Sequence, residues 1–265
     1  MTDIIGVAGC GRMGMGMLRN LQNARFNVRG FDVRPMNGVG TDVDAFVDGL
    51  TTLITVVRDT AETDALLFDD QAVVTQAGTL SRIIISSTLS PKYVKALRAR
   101  IPDHIALIDA PMSGAQVKAD AGTLTFMTGG PADQVTPLLQ AMGNTVHHMG
   151  DYGAGMTAKV LNNLLAASNT AMTRLVLDWA DAEGVDEAKL LALINTASGQ
   201  NWLASGFDEI EFARDGYTAD NTIGILFKDV ASALDIAPGD QTALPIAVQD
   251  AIRNLKPRRK PEAAS

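Results

Sequence analysis

The chain has 265 residues, 46% hydrophobic and 20% charged, with a net charge of -8. That is apolar material for one large domain or two ordinary ones, and too much for a disordered chain. The acidity argues against nucleic acid as a partner, because phosphate contacts need clustered Lys and Arg. The basic run Lys256-Pro257-Arg258-Arg259-Lys260 is short and reads as a solvated, flexible tail over 257–265. A single cysteine, Cys10, excludes a disulfide scaffold and a thiolate zinc cluster. No apolar run approaches the ~20 residues that span a bilayer. Asp3 and Arg12 stand where a leader would be basic and then apolar. The expectation is a cytoplasmic protein with no membrane partner and no metal.

The first apolar run, Ile4–Ala8, reads as a buried strand, and Met13–Gln22 as the helix after it. Further strands are expected at Val28–Phe31, Thr52–Val57, Ile83–Ile85, Ile105–Ile108, Leu124–Met127 and Thr145–His147, with a helix at Lys92–Arg100. Such continuous, β-branched runs suit strands covered on both faces, and their alternation with helices predicts a doubly wound parallel sheet. The Gly- and Asp-rich stretch Arg34–Gly49 offers no strand. From Gly155 to Glu183 there is neither Pro nor interior Gly, and Gly184 stands where a C-cap should. A helix of that length would be roughly 40 Å long, more than one small domain needs. It predicts a spine leaving a first domain (1–152) and organising an all-helical second one (153–256), with helices at Asp186–Thr196, Ile223–Leu234 and Leu244–Asn254.

Three groups of residues carry chemistry. Gly9-Cys10-Gly11-Arg12-Met13-Gly14 is a GxGxxG between a strand and a helix, the arrangement that lets backbone N–H groups approach a pyrophosphate. Asp32 ends the next strand, where a carboxylate accepts from the adenosine ribose hydroxyls and repels a 2′-phosphate. NAD is therefore favoured over NADP, with Arg34 as the complication because it could hold that phosphate. Cys10 inside the loop is either a tolerated small residue or a redox-sensing thiol. Asp109-Ala110-Pro111-Met112-Ser113-Gly114-Ala115 places a hydroxyl and small residues at the carboxyl end of a strand, where open α/β sheets bind ligands. Lys159 and Asn163 are four apart on the spine helix and so share a face. Lysine serves as a general acid or base when burial and neighbours lower its pKa.

Taken in order, Gly9-x-Gly11-x-x-Gly14, Ser87-Thr88-x-x-Pro91, Asp109-Ala110-Pro111-x-Ser113-Gly114, Gly155-x-x-x-Lys159-x-x-x-Asn163 and Lys228-Asp229 resemble the β-hydroxyacid dehydrogenases. Ala197-Ser198-Gly199-Gln200-Asn201-Trp202 is similar to a segment of the hydroxyisobutyrate branch. The resemblance implies an NAD-dependent dehydrogenase of a small, anionic 3-hydroxy acid, working as a homodimer or homotetramer. It implies Lys159 as catalytic acid/base and Asn163 as substrate anchor, with Ser113, Gly114 and Ala115 at the substrate carboxylate. Around the cofactor it implies Gly9, Gly11, Arg12, Met13, Gly14, Asp32, Val33, Val57, Arg58, Glu62, Thr88 and Lys228. Three departures stand out. Val57-Arg58 replaces a Leu-Pro pair, Ala115 replaces a second glycine, and Ile85 replaces an aspartate before the Ser-Thr pair. The alternatives are a reductase of a semialdehyde, glyoxylate or sulfonated aldehyde on the same scaffold, or a nucleotide-sensing protein without catalysis.

Overall fold

Strand follows helix along the first 150 residues of the computed structural model, which describes residues 3–260. In chain order the elements are β1 (Ile5–Ala8), α1 (Arg12–Asn23), β2 (Val28–Phe31), α2 (Val43–Val47), β3 (Thr52–Thr55), α3 (Thr60–Leu67), α4 (Val73–Gln76), β4 (Arg82–Ile85), α5 (Pro91–Leu97), β5 (Ala106–Asp109), β6 (Met112–Ser113), α6 (Ala115–Ala121), β7 (Leu124–Gly129), α7 (Thr136–Met142) and β8 (Gly143–Gly150). Then come α8 (Ala154–Ala182), α9 (Glu187–Thr196), α10 (Trp202–Ser205), α11 (Thr222–Leu234) and α12 (Ala243–Arg253). The chain divides into two units, Met1–Lys159 and Val160–Ser265, so the division falls inside α8. No helix among the described residues is long and apolar enough to cross a membrane.

In the first unit the sheet order is β2-β1-β3-β4-β5-β7-β6, and β8 pairs with β7. Strands β1 to β5 pair in parallel, as the alternation predicts. The sheet adds a reversal: β7 runs antiparallel to the end of β5 and to β6, and parallel to β8. Successive side chains in each strand serve opposite faces. Leu53, Ile83, Ile85 and Leu107 enter the core under α2, α3, α4 and α5. Ile54, Ile84 and Ile108 enter the core under α1, α6 and α7. That is why the strands read as unbroken apolar runs rather than alternating ones.

The stretch with no expected strand, Arg34–Gly49, holds isolated bridges Phe31–Gly40 and Met36–Val39 and then α2. Asp42 caps α2, accepting from the N–H groups of Asp44 and Ala45.

The second unit carries most of α8 together with α9 to α12, around two small cores. One holds Ala167, Ile223, Val230 and Ile252; the other holds Leu177, Leu203 and Phe207. Gly184, at φ +71°, ends α8, and the Val185 N–H closes the turn on the Ala180 carbonyl at 2.8 Å.

The basic tail departs from the solvated terminus expected of it. The Arg258 side chain is only 7% exposed and pairs with Asp178 (2.8 Å), Asp181 (2.7 Å) and Glu187 (2.6 Å). Arg214 pairs with the same Glu187, and the fully buried Arg174 donates to the carbonyls of Ala213 and Asp215 and to that of Lys256. The cause is tertiary. Three carboxylates from α8 and α9 converge on one guanidinium, and a charge count of the tail alone shows none of them. Residues 261–265 of the expected tail lie outside the described residues.

Candidate active site

The glycine loop runs from β1 into α1. Gly9 has φ +92°, a conformation that disfavours side chains, and a Cβ there would meet the Val56 carbonyl at 2.7 Å. A Cβ on Gly14 would meet the Gly9 carbonyl oxygen at 2.1 Å, so the helix and the loop touch backbone to backbone. At Gly11 an added Cβ would meet nothing nearer than Arg34 Nη2, at 3.7 Å. It would project into the open cradle above the first turn of α1. No side chain caps that turn, so its N–H groups face the cradle unclaimed by a local acceptor. A pyrophosphate fits this chemistry.

A cavity of about 300 Å³ opens from the cradle. It collects Gly9, Gly11, Asp32, Val33, Arg34, Val57, Arg58 and Glu62, all singled out in the sequence, and adds the polar Asp70 and Gln71, which no motif marks, and the apolar Phe31, Ala65 and Leu66. The last three were not anticipated; their only signal is their place in apolar runs, which burial alone also explains. Gly14 lies beneath the cradle, Arg12 is exposed, and Met13 and Thr88 are half-buried; none of these four lines the cavity.

Asp32 is buried, while Arg34 lies over it with Nε on Oδ1 at 3.1 Å and Nη2 on Oδ2 at 3.3 Å. Burial pushes the Asp32 carboxyl up, but the hydrogen bonds and charge of Arg34 outweigh it and hold the group below the usual carboxylate range. Arg58 is tied to Glu62, its N–H donating to Oε2 at 2.9 Å and its Nε to Oε1 at 2.6 Å. Cys10 is buried, its Sγ donating to the Val7 carbonyl. Burial pushes this thiol up to about 12; since a thiolate is the reactive form, a buried thiol suits the tolerated small residue.

At the other end of the sheet, β6 delivers Ser113 against Thr125. Gly114 follows at φ +141° and Ala115 at φ +54°. The glycine missing from position 115 thus matters to the backbone as well as to the loop's size: a left-handed alanine costs about 1 kcal/mol.

Lys159 and Asn163 are both buried, one turn apart on α8. In the second unit the Asn163 carboxamide donates from Nδ2 to Oδ2 of Asp229 at 2.8 Å. Asp229, the buried neighbour of exposed Lys228 on α11, thereby orients Asn163. The sequence carries Asp229 only as the second letter of a motif.

A dinucleotide cradle on a doubly wound sheet, followed by an all-helical unit, defines a nicotinamide-dependent oxidoreductase. Residues 4–150 match the family described as the NAD-binding domain of 6-phosphogluconate dehydrogenase. Residues 153–256 match the one described as NAD-binding of NADP-dependent 3-hydroxyisobutyrate dehydrogenase. The chain is 31% identical to an L-threonate dehydrogenase of Cupriavidus necator, over 93% of this chain and 88% of the relative. It is also 31% identical to a 3-hydroxyisobutyrate dehydrogenase of Pseudomonas aeruginosa, over 93% of this chain and 89% of the relative. The solved structure of Mycobacterium tuberculosis 3-hydroxyisobutyrate dehydrogenase with L-serine superposes with a TM-score of 0.81, at 26% identity, over 97% of each chain. The chain belongs to the β-hydroxyacid dehydrogenase family, NAD-binding enzymes that act on CH–OH groups.

Proposed function

We propose that the chain reversibly oxidises a small 3-hydroxy acid, of the kind named in its hydroxyisobutyrate, threonate and serine dehydrogenase relatives. NAD is the preferred cofactor. The observation that carries this reading is the pair at positions 159 and 163: an amine and a carboxamide, 7% and 8% exposed, one turn apart on a helix. Burying such groups is costly and is tolerated where they are held and employed.

When bound, the dinucleotide supplies a nicotinamide ring that takes up or returns hydride. The residues of the chain do the rest. Lys159 takes the substrate hydroxyl proton at Nζ during oxidation and returns it during reduction. Asp229 engages Nδ2 of Asn163, and Oδ1, which accepts from Asn162 Nδ2 at 3.4 Å, keeps a second lone pair for a substrate hydroxyl. Ser113 and the N–H groups around Gly114 and Ala115 hold the carboxylate. Thr88 and Lys228 are assigned to cofactor contacts with Gly9, Gly11, Arg12, Met13, Gly14, Asp32, Val33, Val57, Arg58 and Glu62.

The test is Lys159→Ala. Turnover of hydroxyisobutyrate, serine, hydroxybutyrate and glyoxylate, followed by absorbance of the reduced cofactor, is expected to fall at least about a thousandfold. NAD should still bind within twofold of the parent. A variant with near-normal kcat would sink the assignment.

A homodimer or homotetramer rests on a separate observation. Leu161, Leu165, Met172, Leu175 and Trp179 on α8 are 41–66% exposed. They are spaced by four, seven, three and four residues, which keeps them on one face of the helix, and no exposed position of α8 before Asp178 is charged. A neutral apolar stripe ~27 Å long can face its own copy without like-charge repulsion. Light scattering of a Leu165→Glu/Trp179→Glu double variant should read the 28.0 kDa chain mass, and the parent a multiple of it. A parent that reads as a single chain would refute the assembly.

A further inference from the structure

Asp109 is a buried carboxylate that the reaction as described does not use. It ends β5, and its side chain is aimed at the start of α8, more than forty residues further along. Oδ1 accepts from the Gly153 N–H at 2.7 Å and Oδ2 from the Met156 N–H at 2.5 Å. Those are N–H groups that a helix start leaves without an intrahelical partner. The residue before α8 that could cap it locally is Gly153, at φ +91°, which has no side chain to offer.

The same turn is clamped twice more. Met156 Sδ accepts from the Leu89 N–H, in the loop between β4 and α5, at 3.4 Å. A Cβ on Gly155 would meet the Met127 carbonyl oxygen of β7 at 2.5 Å. The fit around the carboxylate is equally tight, since a Cβ on its strand partner Gly129 would meet Asp109 Oδ1 at 2.4 Å. The end of β5, the loop after β4 and the backbone of β7 thus hold the turn of α8 that immediately precedes Lys159.

We infer that Asp109 is a positioning residue for the reaction: by capping α8 from the sheet, it sets where the Lys159 amine is presented. The inference rests on the reading of Lys159 as the acid/base. Misplacing a reacting group by about 1 Å costs on the order of a hundredfold in rate. An anchor one turn away therefore acts on kcat without touching substrate.

Two substitutions loosen the turn by different routes. Asp109→Asn keeps the shape and one acceptor but opposes an NH₂ to an N–H. Gly155→Ala leaves the carboxylate intact and pushes the helix off β7. Each variant is titrated with NAD to count folded, binding-competent sites, and kcat is expressed per site at saturating substrate.

For both variants the expected result is a kcat lowered tenfold or more, with the NAD Kd within twofold and full binding stoichiometry. Asp109→Ala, which loses both bonds, should fall further than Asp109→Asn. A carboxylate that only supports the fold would lower the melting temperature and leave kcat per NAD site unchanged, and that result overturns the inference. If Lys159→Ala itself retains turnover, the reading of Lys159 fails whatever Asp109→Asn does. If Lys159→Ala is dead while Asp109→Asn and Gly155→Ala match the parent, the positioning role alone fails.

Discussion

The start of α1 and the start of α8 are both helix N-termini at the carboxyl end of one sheet, and they are finished in opposite ways. No side chain caps α1, and its N–H groups open on the cradle above Gly11. The start of α8 is closed by Asp109, with the Leu89 N–H bonded to Met156 and the Met127 carbonyl packed against Gly155. The first is left free for a ligand that brings its own negative charge. The second is satisfied internally, and its rigidity serves the residue one turn on. An open helix start marks a site; a closed one marks an anchor.

The largest effect that would sharpen this contrast is at the open end. Gly14→Ala puts a methyl 2.1 Å from the Gly9 carbonyl oxygen. It should weaken NAD, measured by fluorescence titration, by at least about a hundredfold, an expectation from the overlap with backbone. Retained affinity would show that the cradle is not where the pyrophosphate lies.

Next comes the anchoring of the tail. Arg258→Ala leaves the buried Glu187 with Arg214 alone. Because Asp178 and Asp181 are more than half exposed, the expected loss is about 2 kcal/mol, below the full value for a buried pair. It is read in thermal or urea unfolding; an unchanged midpoint would return the tail to the solvated terminus its composition suggests.

Asp32→Ala is expected to change the ratio of NAD to NADP affinity about tenfold toward NADP. Arg34, released from its carboxylate, becomes free to meet a 2′-phosphate. An unchanged ratio would mean that another group sets the preference.

The smallest effect is a pH dependence at the closed end. Burial raises the Asp109 carboxyl above its ordinary value, and the Gly153 and Met156 N–H groups oppose this without cancelling it. A raised carboxyl stabilises the fold in its protonated form. That contribution is complete below the unfolded value of 3.8 and is lost as pH rises through the folded one. The stability deficit of Asp109→Asn relative to the parent should therefore be largest in acid and shrink toward neutrality. A deficit that grows with pH would mean that the N–H groups, and not burial, dominate.

Much of the fold could be read from the sequence because its signals are local. Seven apolar runs became seven of the strands, and alternation within them split the side chains between two cores. The glycine loop, Asp32 and the long uninterrupted helix belong to the same class, since a turn, a strand end and a helix are each written in consecutive residues. The antiparallel turn of β7 was not readable, because strand direction depends on where β6 returns the chain. The left-handed Ala115 was visible only as a missing glycine.

What the sequence alone determined is the chemistry available: a cradle for a dinucleotide, a lysine and an asparagine one turn apart, and a hydroxyl-bearing loop. What only the tertiary structure decided is which group serves which. It closed Asp229 on Asn163, three carboxylates on Arg258, and Asp109 on the head of α8. Hydrogen bonds between residues tens of positions apart follow from packing, and no periodicity or short motif records them.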